Sequence, residues 1–174
     1  LRTQCAVDHK NSSAISLGRS LTSKDPDQPN IIFLVRNDRR QSRVKNIKEL
    51  ITVASEFGHV TLWDPSQYSF NEKTSFFEAL YQPIMICEGS GMMNAVLLTG
   101  HIQRLIYLVD PKTVVDRSFL SGGWNYYTSQ YSIAEFVVGQ SHSPIDGSPL
   151  DSCLFSVQAF RRALEVSVLA CKSH

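Results

Sequence analysis

The chain has 174 residues, 43% of them hydrophobic, which suits one packed domain rather than two. Its 17 basic and 16 acidic side chains leave a formal charge of +1, so charge gives no basis for nucleic acid or an acidic membrane as the main partner. No apolar run approaches the roughly 18 to 20 residues that span a bilayer, and no basic-then-apolar signal segment opens the chain.

Residues 1–29 are rich in Ser, Lys, Asp and Pro and are expected to form a polar tail or linker, with the packed domain over residues 30–174. The run IIFLVR (31–36) is continuous, apolar and partly β-branched, the pattern of a strand buried on both faces of a parallel sheet. In NIKELITVASEFG, Ile47, Leu50, Ile51, Ala54 and Phe57 recur at helical spacing, with Asn46 and Glu49 in a capping-box pattern and Gly58 as the stop. HVTLWD (59–64) is a second strand. Ser69 and Glu72 set another capping box, and Phe70, Phe77 and Leu80 mark a second amphipathic helix that Pro83 ends.

IMIC (84–87) and RLIYLV (104–109) are further strands, and SGMMNAVLL between them has helical character. The alternation β-α-β-α-β-α-β with short connections predicts a Rossmann-like, three-layer α/β/α domain with an open, mainly parallel sheet. Beyond it, SGGWNYYTSQYS is expected as a loop, IAEFVVG as an extra strand and SHSPIDGSP as a turn-rich connection. A last helix is expected from near Asp151, with Leu154, Val157, Phe160, Leu164 and Val168 on its core face and Arg161 and Arg162 outside.

Cys5, Cys87, Cys153 and Cys171 are far apart and form no C-x-x-C pair, so neither a zinc site nor a redox motif is expected. Their even number, with the glycosylation acceptor Asn11-Ser12-Ser13, points to the secretory lumen.

In an open parallel sheet, ligands bind beyond the carboxyl ends of the strands, where helix starts present unpaired N–H groups. Two segments occupy such ends. VRNDRRQSRVKN carries Arg36, Arg39, Arg40 and Arg43, whose planar guanidinium groups suit a diphosphate; the alternative is a solvated basic loop. EGSGMMN, 88–94, carries Gly89 and Gly91, which permit a close approach to phosphate; the alternative is a tight corner. A full G-x-G-x-x-G is missing, as are a P-loop lysine and a G-x-S-x-G elbow, which argues against nicotinamide binding, NTP hydrolysis and an α/β hydrolase. Asp64 and Asp110 end strands on the ligand side and are candidates for a sugar or ribose hydroxyl. Trp124, Tyr126 and Tyr127 are candidates for stacking on a sugar or base or, equally, for folding back on the core, where Met92 and Met93 also belong. His59 and His101 lack a chemical partner nearby in sequence and are read as surface or satisfied histidines.

The order of the arginine-rich strand end, KNIKELITVASEFG, WDPSQYSFNEKTSFFEAL and ICEGSGMMNAVLL resembles the C-terminal part of glycosyltransferase family 61, the DUF563 group, over roughly residues 30–110. The family shows Arg-x-Ile-Leu-Asn-x-x-Glu-Leu, an acidic-aromatic stretch leading to a helix, and a His-Gly-Ala-Gly-Leu-Thr-Asn turn. The resemblance implies one half of a GT-B fold, with a missing N-terminal domain, that binds a nucleotide-sugar donor such as a UDP-sugar and passes the sugar to a glycan or glycoprotein. It places Arg36 and one of Arg39, Arg40 or Arg43 near the donor diphosphate, with Glu88, Gly89, Ser90, Gly91, Met92 and Asn94 forming the turn and helix start that receive it. It implies a lumenal setting in Golgi or endoplasmic reticulum, or the cytoplasm for a bacterial protein, and assigns no catalytic base and no metal. Two departures stand out: the turn histidine is Glu88, and the Leu-Asn of the arginine motif is Lys45-Asn46. A non-catalytic interaction or scaffold domain is the alternative these departures favour.

Overall fold

The computed structural model describes residues 28–35, 44–88, 102, 104–109, 134–142 and 152–172. The strands β1 (Asn30–Leu34), β2 (His59–Trp63), β3 (Ile84–Glu88), β4 (Arg104–Val109) and β5 (Ala134–Val138) form one sheet in the order β2-β1-β3-β4-β5. Every neighbouring pair is parallel. The helices are α1 (Ile47–Ala54), α2 (Phe70–Glu78) and α3 (Val157–Lys172), and a small antiparallel pair joins β6 (Gln140–His142) to β7 (Ser152–Leu154). This is the expected Rossmann-like arrangement.

The period of two in a strand divides the core. Ile31, Phe33, Ile84, Ile86, Ile106 and Leu108 face a cluster completed by Leu50 and Val53 of α1 and by Phe160 and Leu164 of α3. Ile32, Leu34, Met85, Cys87, Leu105 and Tyr107 face the other, completed by Trp63 and by Phe76 and Phe77 of α2. Helices therefore cover both faces. The path from β1 to β2 moves outward across the sheet and the path from β2 to β3 moves back, so crossovers of one hand put α1 and α2 on opposite faces.

The second helix starts as its sequence specifies. The Ser69 hydroxyl accepts from the Glu72 N–H at 3.4 Å, and the Glu72 carboxylate accepts from the Ser69 N–H at 2.8 Å. Phe77 and Leu80 are buried as expected and Phe76 joins them, whereas Phe70 is 53% exposed. As the first residue of the helix, Phe70 lies nearly two turns from the sheet-facing pair, and Phe76 takes the inner position by stacking on Trp63.

The first helix starts differently from expectation. Asn46 precedes it but makes no side-chain cap. Its amide oxygen instead accepts from the Phe155 N–H at 3.1 Å, and its amide nitrogen donates to the Phe155 carbonyl at 2.8 Å. A second correction concerns the C-terminal segment, where residues 152–154 form β7 and the helix begins only at Val157. Ser156 starts that helix, its hydroxyl accepting from the Ala159 N–H and its carbonyl from the Phe160 N–H. Leu154 is accordingly 37% exposed rather than on the core face of a helix. Ser141 and His142, expected within a turn-rich connection, belong to β6. Arg161 lies outside the core as expected and spans to Glu56 with two hydrogen bonds of 2.8 and 2.9 Å, its guanidinium over the Phe57 ring.

α1 ends at Ala54 with Ser55 as its C-cap, earlier than the expected stop at Gly58, which follows the turn over residues 55–57 and leads into β2 beside Pro29, whose carbonyl accepts from the His59 N–H at 3.0 Å. A Cβ on Gly58 would overlap that carbonyl oxygen and press the Pro29 ring and the Ile31 side chain at 3.1 and 3.3 Å. Gly58→Ala is expected to destabilise the fold by about 1–3 kcal/mol. The measurement is the denaturant midpoint at an unchanged slope; a midpoint equal to that of wild type would show that the strand start yields freely.

Candidate functional site

The strand order fixes where the sheet changes direction. From β1 the chain goes on to β2 on one side, and from β3 it goes on to β4 on the other, so the connections that leave the carboxyl ends of β1 and β3 part from each other. The two strands are direct neighbours, with Phe33 beside Ile86. A divergence of this kind opens the crevice used by ligands of doubly wound sheets.

On the β1 side, Leu34 is buried and the Val35 N–H donates to the Trp63 carbonyl at 2.9 Å, so the β1 and β2 ends stay joined up to the point where the arginine-rich run begins. On the β3 side, Cys87 is buried and Glu88, next to Leu108 of β4, is half-buried. By strand alternation Glu88 lies on the face shared with Ile84 and Ile86, the face that α1 and α3 cover. Burial pushes the Cys87 thiol far above its ordinary pKa, and the adjacent Glu88 charge adds to the rise. That thiol is a packing group, not a nucleophile.

Of the expected donor-site residues, Glu88 is described. Arg36, Arg39, Arg40, Arg43, Gly89, Ser90, Gly91, Met92 and Asn94 lie outside the described residues, as do Met93, His101, Asp110, Trp124, Tyr126, Tyr127 and the Asn11-Ser12-Ser13 acceptor. His59 stands at the start of β2, at the end of the sheet opposite the crevice. Cys87, Cys153 and Cys171 are buried thiols that form no disulfide. Among the described residues, no group of three or more His, Cys, Asp or Glu side chains could hold a metal ion.

Asp64 follows β2 on the crevice side, and its carboxylate is engaged locally. One oxygen accepts from the Ser66 N–H at 3.0 Å and the Ser66 hydroxyl at 2.7 Å, and the other accepts from the Gln67 amide at 3.3 Å. It thereby caps the short turn Pro65–Gln67. Beside it Trp63 is held in an aromatic cage, stacked on Tyr68 and Phe76 with centroids 5.8 and 5.4 Å away and edge-on to Phe77 at 5.1 Å. Sequence periodicity alone gives no signal for that cage, because Trp63 and Phe76 meet across a turn.

The family model described as Glycosyltransferase 61 matches residues 6–115, more than half of the chain. The chain belongs to glycosyltransferase family 61. The family 61 match takes in β1 through β4, both flanks of the crevice and the segment upstream of residue 30. No curated protein and no solved structure matches the chain.

Desolvation raises the Asp64 pKa, but the bonds from Ser66 and Gln67 outweigh it and leave the carboxyl below its ordinary value. A lowered native pKa contributes stability above the unfolded value, and this is lost as the pH falls through the native one. Asp64→Ala is therefore expected to be less stable than wild type at neutral pH by about 0.5–1 kcal/mol. The two proteins should converge once the pH is well below about 3.9. Thermal melts of both across that range provide the check; a gap that persists in acid would mean the loss comes from packing.

Proposed function

We propose that this family 61 domain binds a nucleotide-sugar donor, with a UDP-sugar as the leading candidate, in the crevice between the carboxyl ends of β1 and β3. It takes part in passing the sugar to a hydroxyl of a glycan or glycoprotein. The observation that carries the reading is the order β2-β1-β3-β4-β5: it brings together the strand that leads into Arg36 and the strand that leads into Gly89, Ser90 and Gly91. Guanidinium groups on one side and the backbone N–H groups of a glycine turn on the other suit the two phosphates. In the transfer, the acceptor oxygen bonds to the anomeric carbon as the bond from that carbon to the diphosphate breaks. The nucleoside diphosphate leaves with the electron pair, and the acceptor proton goes to a base supplied outside the described residues. The second half of a GT-B pair is the partner that completes such a site.

The compartment proposed is the secretory lumen, Golgi or endoplasmic reticulum. This rests on the Asn11 acceptor sequence and not on disulfides, since Cys87, Cys153 and Cys171 form none.

Glu88 favours a second reading. A carboxylate at the last position of β3 repels a diphosphate unless it is neutralised, and an inactive relative that keeps the fold as an interaction domain tolerates such a residue. Titration calorimetry with UDP and several UDP-sugars separates the two. Donor binding predicts heats that saturate, and Arg36→Ala is expected to weaken them by roughly tenfold or more. Absence of binding at millimolar ligand, together with nucleotide affinity gained in Glu88→His, would establish the scaffold reading instead.

A further inference from the structure

The helix α2 links two parallel strands, so it runs against them and its start stands at the carboxyl edge of the sheet, where the crevice opens. Phe70, its first residue, is seven positions before the buried Phe77. Seven residues fall about 20° short of two whole turns, so both rings leave the same side of the helix. Phe76 already meets Trp63, the last residue of β2, with centroids 5.4 Å apart, and Phe70 lies about 9 Å beyond Phe76 along the axis. Helical side chains also tilt toward the helix start. The Phe70 ring therefore overhangs the carboxyl edge of the sheet, where it is 53% exposed. Its backbone is fixed from both sides: the Ser69 and Glu72 pair caps the helix, and Tyr68 stacks on Trp63. A ring held in this way loses little freedom when a ligand settles on it.

The neighbouring groups select the ligand. Residues 64–72, DPSQYSFNE, carry two carboxylates, Asp64 and Glu72, and no lysine or arginine. Such a segment disfavours phosphate and suits a neutral molecule. Ser66, Gln67, Ser69 and Asn71 are exposed, so the ring is bordered by hydroxyl and amide groups. A flat apolar ring with that border matches a pyranose, which has a face of C–H bonds and a rim of hydroxyls.

We propose that Phe70 is the stacking platform of an acceptor subsite that holds a neutral saccharide on the β2 flank of the crevice. The proposal rests on the glycosyl-transfer reading above. Because β2 is paired directly with β1 at about 5 Å, a saccharide at this flank is one strand away from the strand end that borders the crevice.

Saturation-transfer difference NMR with xylotriose, cellotriose and lactose, each titrated to tens of millimolar, tests the platform without requiring turnover. Phe70→Leu keeps an apolar side chain and removes the aromatic face, and Phe70→Trp supplies a larger one. Tyr81→Leu is the control, because Tyr81 is a similarly open aromatic, 50% exposed, beyond the opposite end of the same helix. Wild type is expected to saturate with at least one of the saccharides, and Phe70→Leu to bind it about three- to tenfold more weakly at an unchanged denaturant midpoint. Phe70→Trp is expected to bind at least as well as wild type, and Tyr81→Leu to match it. Saturation with none of the saccharides, equal affinity in Phe70→Leu, or equal weakening in Tyr81→Leu would overturn the proposal. Displacement of the saccharide by uridine would overturn it as well, by assigning the ring to the base of the donor. If wild type fails to bind UDP in calorimetry while saccharide binding still depends on Phe70, the donor reading falls and the platform stands.

Discussion

The parallel pairing of β1 with β3 is the constraint on which the other elements depend. Ile31, Ile32 and Phe33 lie beside Ile84, Met85 and Ile86, all of them nearly inaccessible to solvent. Strands this apolar on both faces are stable only when each face is covered, and each large side chain so buried contributes about 1.5–3 kcal/mol. That requirement recruits α1 and α3 to one side and α2 to the other. The same pairing makes the chain diverge, because the strands that follow β1 and β3 are added on opposite flanks. The apolar centre and the crevice therefore have one origin.

The two faces are closed by different means. On the α2 face the closing contact is aromatic: Trp63 at the end of β2 packs against Tyr68, Phe76 and Phe77, and Asp64 fixes the turn that lets them meet. The indole N–H of Trp63 is buried with no partner among the described residues, so among them ring packing rather than a hydrogen bond to the indole holds the cage. On the α1 face the closing contact is polar, with Asn46 acting as a bracket between two segments that are far apart in sequence. A hydrophobic seal suits a face that only has to exclude water, whereas a directional pair of hydrogen bonds fixes the register of the two segments it joins.

Membership in glycosyltransferase family 61 gives the crevice its chemical context, and Glu88 gives it tension. The Glu88 carboxylate stands at the last position of β3, beside a buried cysteine whose thiol it helps to keep protonated. It is a partly buried residue, and on the proposed donor-site reading the charge that faces it governs whether a diphosphate is accepted there.

Local sequence determined the elements whose signals lie within a few residues. The apolar runs of β1, β3 and β4 specify buried strands, the spacing of Leu50 and Ala54 specifies one helix face, and the Ser69 and Glu72 pair caps α2 as its pattern requires. Those signals also sufficed for the α/β class and for the family. Tertiary structure alone decided the use of Asn46, since the backbone of Phe155 competes for the same amide that a capping box would employ and wins by offering both a donor and an acceptor in a buried place. It likewise decided that residues 152–154 pair as a strand, and that Phe76 rather than Phe70 meets Trp63. In each case the deciding partner is brought close only when the sheet has formed, and no window of neighbouring residues contains it.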